Sequence, residues 1–117
     1  MRKSSLEKIQ GVYCIRSKRD RRVYIGSGVD IRRRFSEHKT KLNQCKSDNS
    51  SLQLAWNKHG AVGFEFLILE LVSNVIKLDE REQYWIGYCN ATNPRSGYNM
   101  HTKARNVLGV KFPFYRR

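Results

Sequence analysis

The chain has 117 residues, which suits one domain with one modest core, and its 39% hydrophobic and 28% charged residues are those of a folded rather than a disordered chain. No apolar run exceeds Phe66 to Leu69, far short of a bilayer span, and Met1 to Glu7 lacks an apolar signal core, so an intracellular, non-secreted protein is expected. The formal net charge of +13 is uneven: residues 1–46 carry 14 Lys and Arg against 4 Asp and Glu, residues 47–100 carry 4 against 6, and residues 101–117 carry 5 against none.

Residues 1–9 read as a polar lead-in. Gly11 to Ser17 and Arg22 to Gly26 read as two strands, each with a tyrosine, joined by the polar segment Ser17 to Arg22. Gly26-Ser27-Gly28 turns toward Asp30, an N-cap for a first helix. Ile31, Phe35, His38 and Leu42 fall at helical spacing and mark its inner line. Residues 43–49 read as a loop. Ser50 or Ser51 caps a second helix, with Leu52, Ala55, Trp56 and His59 on one face and Gly60 as its stop. Phe64 to Leu71 is a third strand, with Phe64, Phe66, Ile68 and Glu70 on one face. A third helix is expected from Asn74 to about Cys89, with Val75, Leu78, Trp85, Ile86 and Cys89 inward. Residues 90–97 form a loop that ends at Tyr98-Asn99, and residues 101–117 a basic tail. The order β-β-α-α-β-α predicts a small α/β sandwich: one three-stranded, largely antiparallel sheet flanked by helices.

Charge concentrated on the hairpin, first helix and tail calls for a polyanion, most simply nucleic acid. No segment pairs a wide apolar face with a lysine-rich polar one, so no membrane partner is expected. Cys14, Cys45 and Cys89 are far apart and form no CxxC pair, so they read as reduced cysteines and not as a zinc site. Glu82 lies four residues after Leu78 and three before Trp85, on the inward stripe of the third helix. A carboxylate there needs compensation, either an arginine in a buried ion pair or a divalent metal. A hard acid with few companions suits Mg²⁺ or Mn²⁺. Arg34 and His38 share a side of the first helix, while Arg32 and Arg33 point elsewhere, toward a nucleic-acid backbone. Arg21, Arg22, Lys39 and Lys41 extend the same DNA-facing set. Tyr13 and Tyr24 are ambiguous alone, because strand tyrosines mostly pack and a phenol of pKa about 10 is a weak base. His59, at a helix end, reads as structural; His101 has no assignment.

Taken together, these segments resemble the GIY-YIG nucleases. Gly11-Val12-Tyr13 and Tyr24-Ile25-Gly26 are similar to the two name-giving tripeptides, with Val12 in place of isoleucine. Asp30, Arg34-Phe35 and His38 resemble the family's catalytic helix, Glu82 its metal-binding glutamate, and Gly97-Tyr98-Asn99 its closing asparagine motif. The five elements stand in family order over about residues 10–100. Trp56 to Gly60 and Asp79 to Glu82 are most similar to the catalytic domain of intron-encoded homing endonucleases of phages and organelles. Some of those enzymes carry a second histidine before the second helix; here Asn49 falls near that place.

The resemblance implies a DNA endonuclease that hydrolyses phosphodiesters with one metal ion, Mg²⁺ or Mn²⁺. Glu82 would hold the metal, Tyr13 would act as general base, and Tyr24 would position the water or the phosphate. Arg34 would stabilise the transition state, His38 would bond the phosphate or relay a proton, and Asn99 would support the geometry or touch the phosphate. Double-stranded DNA is the expected substrate and a monomer the favoured state. A non-catalytic nucleic-acid-binding module on a nuclease fold, a standalone nicking enzyme and a structure-specific repair nuclease are the competing readings.

Overall fold

The computed structural model describes residues 7–100. Residues 1–6 of the polar lead-in, His101 and the basic tail lie outside the described residues. Three strands, β1 (Gly11–Ser17), β2 (Val23–Gly28) and β3 (Phe64–Leu71), and three helices, α1 (Ile31–Asn43), α2 (Ser50–His59) and α3 (Leu78–Cys89), follow in the expected order. The sheet runs β2-β1-β3 and every pairing between the three strands is antiparallel. β1 is therefore central and β2 keeps a free edge.

Period-2 alternation divides the core between the two sheet faces. Val12, Cys14, Val23 and Ile25 face α3 and pack with Leu78, Ile86 and Ala91. Ile15 and Tyr24 face the other way, where Leu42 of α1, Leu52 and Trp56 of α2, and Phe64 and Phe66 close a second cluster. The arrangement is helix, sheet, helix, as the sequence pattern predicts.

Local chemistry sets the element ends, with four departures from expectation. β2 runs on through Gly28 where a turn was expected from Gly26, because Ser27 and Gly28 stay paired with Val12 and Gly11. The α2 cap is Asn49, whose side chain accepts from the Leu52 N–H, rather than either serine that follows. The third helix opens with a separate 3-10 turn, Val75–Lys77, capped by Asn74, and this turn leaves Val75 exposed. The face expected for β3 holds for Phe64, Phe66 and Ile68 but not for Glu70. A bulge opposite Val12 and Tyr13 shifts the register, so that Tyr13 faces Ile68 while Val12 faces Glu70. Ile68 is exposed, and Glu70 turns to the α3 side, where it accepts from Arg81 and Trp85. At the same place Gly11 lies so close to the Glu70 carbonyl that a Cβ would sit 2.0 Å from its oxygen, which only glycine permits.

The free edge of β2 is partly covered by the segment after α3. Val23 donates to Ser96 and accepts from Tyr98, a short parallel bridge outside the named strands. One step along, the Asn99 side chain takes the position of a further strand. Its Oδ1 accepts from the Ile25 N–H at 2.8 Å and its Nδ2 donates to the Ile25 carbonyl at 3.1 Å.

Candidate active site

The pocket forms where the two faces meet at the edge of β2. Arg34, Glu37, His38 and Lys41 of α1 line it together with Tyr24 of β2, Glu82 of α3, Asn49 and Leu52 at the start of α2, and Asn99. It encloses about 230 Å³. α1 is fixed at its start by Asp30, whose side chain accepts from the Arg33 N–H. Arg34 and His38 then project from one side, one helical turn apart.

Tyr13 does not line this pocket. It is fully buried behind His38, with its hydroxyl 2.7 Å from His38 Nε2 and its ring edge-on to Phe35. Room for the phenol comes from Gly26 directly across the strands, where a Cβ would stand 2.5 Å from the hydroxyl oxygen. Burial, and after it the neighbouring Tyr24 phenol, pushes the Tyr13 pKa well above the ordinary phenol range. Burial also pulls His38 down to about 4, with the Arg34 charge adding to the effect. At neutral pH the imidazole is therefore uncharged, and it shares one short hydrogen bond with the phenol whose direction follows the ring tautomer. In this geometry Tyr13 braces the imidazole, and its phenol meets the pocket only through His38.

Tyr24 is the phenol that reaches the pocket. Its ring stands edge-on to His38 with centroids 5.4 Å apart. Burial and then the Glu82 charge raise its pKa. Arg34 donates Nη1 to Glu37 Oε1 at 2.6 Å, and its Nη2 lies 3.4 Å from His38 Nε2. Burial weakens the Arg34 charge, but Tyr13 and Glu37 more than offset that and raise its pKa. Glu82, 7% exposed, is the inward carboxylate expected on the third helix. Its Oε1 accepts from the Ser27 hydroxyl at 2.5 Å. Ser27 faces α3 because it pairs with Val12 across the sheet.

The structure thus brings Tyr24, Arg34, His38, Glu82 and Asn99 together, with Tyr13 one layer behind. The DNA-facing set is divided. Lys41 lines the pocket, and Arg32 and Arg33 are exposed on α1, with Arg33 donating to Glu37 at 3.1 Å. Lys39 sits over the Phe66 ring. Arg21 occupies the β1–β2 turn at φ 66, outside the pocket. Arg22 there is held by Asp20 at 2.9 Å and covers the Tyr98 ring. Ser27, Glu37 and the capping Asn49 join the site without being among the residues expected there. Strand alternation from Val12 is the signal for Ser27, and i,i+3 spacing from Arg34 the signal for Glu37. Asn49 stands at the pocket, near the place of the second histidine, and also donates to the Tyr98 carbonyl at 2.7 Å.

Cys14, Cys45 and Cys89 are free, as expected. Among the described residues no helix is long and apolar enough to cross a membrane.

The sequence pattern of the GIY-YIG catalytic domain matches residues 9–99. Over 91 residues the chain is 36% identical to intron-associated endonuclease 1 of Enterobacteria phage T4, a match covering 77% of this chain and 36% of that protein. The chain thus spans just over a third of that relative's length. A solved structure of a mutant catalytic domain of intron endonuclease I-TevI is similar with a TM-score of 0.75 and 31% identity, covering 84% of this chain and 99% of that one. The catalytic domain of homing endonuclease I-TevI is similar with a TM-score of 0.72 and 32% identity, covering 79% and 98%. The chain belongs to the GIY-YIG family, and residues 9–99 are its GIY-YIG catalytic domain.

Proposed function

We propose that this domain is a DNA endonuclease of the homing-endonuclease type, hydrolysing phosphodiester bonds of double-stranded DNA as an intracellular monomer with one divalent cation. The observation that carries the reading is the composition of one pocket. A guanidinium, a carboxylate, a phenol and an imidazole from α1, α3 and β2 converge in about 230 Å³, beside a helix that also bears Arg32, Arg33 and Lys41.

GIY-YIG nucleases depend on a divalent metal, and the donor set here fits one kind of ion. Among the described residues no group of three or more His, Cys, Asp and Glu is placed to hold a metal. A cage-bound ion such as zinc is therefore a poor match, whereas a hard ion that keeps most of its waters needs little more than the Glu82 carboxylate. Mg²⁺ is the ion we propose, with Mn²⁺ as its substitute. Held by Glu82, it would supply Lewis acidity toward a phosphate oxygen.

The protein groups supply the rest. Arg34 places a planar fork against the phosphate and stabilises the negative charge that grows on it. Tyr24, a neutral phenol in the resting protein, orients the attacking water through its oxygen. His38 is neutral above about pH 4 and is held in place by Tyr13. Asn99 commits its amide to Ile25 and so keeps the β2 edge, and Tyr24 beside it, in register.

Supercoiled plasmid tests this reading, with the parent, Glu82→Ala and Arg34→Ala proteins assayed with and without Mg²⁺. The parent should nick or linearise the plasmid only with metal, and each variant should lose about 10²–10³-fold in rate while melting as the parent does. Metal-independent cleavage, or full activity in Glu82→Ala, refutes the metal assignment. Tight DNA binding with no cleavage at any metal concentration would instead identify a binding module.

A further inference from the structure

Glu37 has no role in the chemistry above, yet it holds the cation on which that chemistry depends. Its Oε1 takes Arg34 Nη1 at 2.6 Å and its Oε2 takes Arg33 Nε at 3.1 Å. Two consecutive arginines thus grip one carboxylate from either side, at i,i+3 and i,i+4. Glu37 also lines the pocket. An acid there is unfavourable for binding DNA, because it repels the phosphate and offsets part of the Arg34 charge. Its presence calls for a compensating use.

Arginine has a long, flexible stem, and a loose guanidinium must be ordered when substrate arrives. Here the fork is held from behind: Nη1 donates to Glu37, Nη2 lies 3.4 Å from His38 Nε2, and the guanidinium also bonds the Tyr13 phenol. Arg33, with 73% of its side chain exposed, grips the outer carboxylate oxygen and steadies Glu37 in turn. The Arg34 hydrogen bond holds the Glu37 carboxyl below the usual carboxylate range, so this contact stays charged at working pH.

We propose that Glu37 is a positioning residue: it aims the Arg34 guanidinium at the scissile phosphate before DNA binds, at a cost in affinity for the DNA backbone. The inference rests on the nuclease reading of the pocket. Removing the charge while keeping the shape should then move binding and turnover in opposite directions.

The test compares the parent, Glu37→Gln and Arg34→Ala proteins by single-turnover cleavage of plasmid in Mg²⁺ over a range of protein concentrations, at low and high salt. At low salt Glu37→Gln should half-saturate at about threefold lower concentration, the effect of removing one surface charge. Its maximal rate should fall about tenfold, because the fork is no longer aimed. High salt should erase the affinity gain and leave the rate loss. Thermal melting establishes that the variant is folded. A parental or raised maximal rate in Glu37→Gln overturns the positioning role, as does a rate loss that high salt abolishes. If Arg34→Ala is inactive while Glu37→Gln is parental, only this inference falls. If Arg34→Ala cleaves like the parent, the nuclease reading of the pocket falls with it.

Discussion

Replacing Gly26 by alanine sets a methyl group against the most enclosed phenol among the described residues. The added carbon would lie 2.5 Å from the Tyr13 hydroxyl oxygen, 2.6 Å from Cζ and 3.0 Å from Cε1. Ordinary carbon contacts are about 3.5–4.0 Å, so the ring or the strand must shift by about 1 Å. The ring has little freedom to do so. It is fully buried, lies edge-on to Phe35 at 5.2 Å, and is tied to His38 at 2.7 Å. Overpacking of this kind costs about 1–3 kcal/mol, and loss of the Tyr13–His38 bond adds about 0.5–1.5 kcal/mol. Alanine returns about 0.4–1 kcal/mol by stiffening the unfolded chain, which leaves a net loss of about 2 kcal/mol. Urea unfolding should show a midpoint lowered by about 1 M with the slope unchanged. In a Tyr13→Leu background the clashing atoms are gone, and Gly26→Ala should be neutral or mildly stabilising, a coupling of about 2 kcal/mol. Refutation would be a single variant within about 0.5 kcal/mol of the parent, or the same penalty with leucine at position 13.

Acidification should destabilise the domain through His38. Its pKa is about 4 when folded against an ordinary 6.5, so between those values the unfolded chain binds more protons and stability falls as pH falls. The full effect is at most about 3 kcal/mol, and urea midpoints from pH 7 to pH 4 should decline less steeply in His38→Gln than in the parent. Equal slopes would show that the imidazole is protonated normally. Asn99→Ala strands the Ile25 N–H and carbonyl at a half-covered edge and should cost about 1–3 kcal/mol by chemical denaturation. A loss under about 0.5 kcal/mol would mean that water replaces the amide there. DNA affinity should fall with salt at a log–log slope of about −0.9 per phosphate contacted, and Arg32→Ala or Lys41→Ala should each make it shallower by about that amount. An unchanged slope would remove the residue concerned from the DNA face.

What could be read from the sequence was what depends on local pattern. The bounds of β1 and β3, the Asp30 cap and the inner line of α1 follow from period, caps and turn residues over a few neighbours. Glu82 was legible for the same reason, since helical spacing alone puts it among inward side chains. The bulge opposite Val12 was not legible, because a register shift belongs to a pair of strands and leaves no mark on either one. It reversed the expected facing of Glu70, and with it the partners of Arg81 and Trp85.

The least legible feature was which tyrosine the pocket would use. Alternation puts Tyr13 and Tyr24 on the same sheet face, so their side chains look equivalent in sequence. Strand order separates them. β3 pairs with β1, which makes β1 central and buries Tyr13 under α1, while β2 remains an edge where Tyr24 stays open to the pocket. The same edge lets α1 and α3, packed on opposite faces, present Arg34 and Glu82 to a common space. It also leaves Ile25 with unpaired backbone groups for Asn99 to take. One topological choice, the placing of β3 beside β1 and not β2, thus separates the two phenols by their access to the pocket and opens it. It also accounts for the asparagine as a surrogate strand.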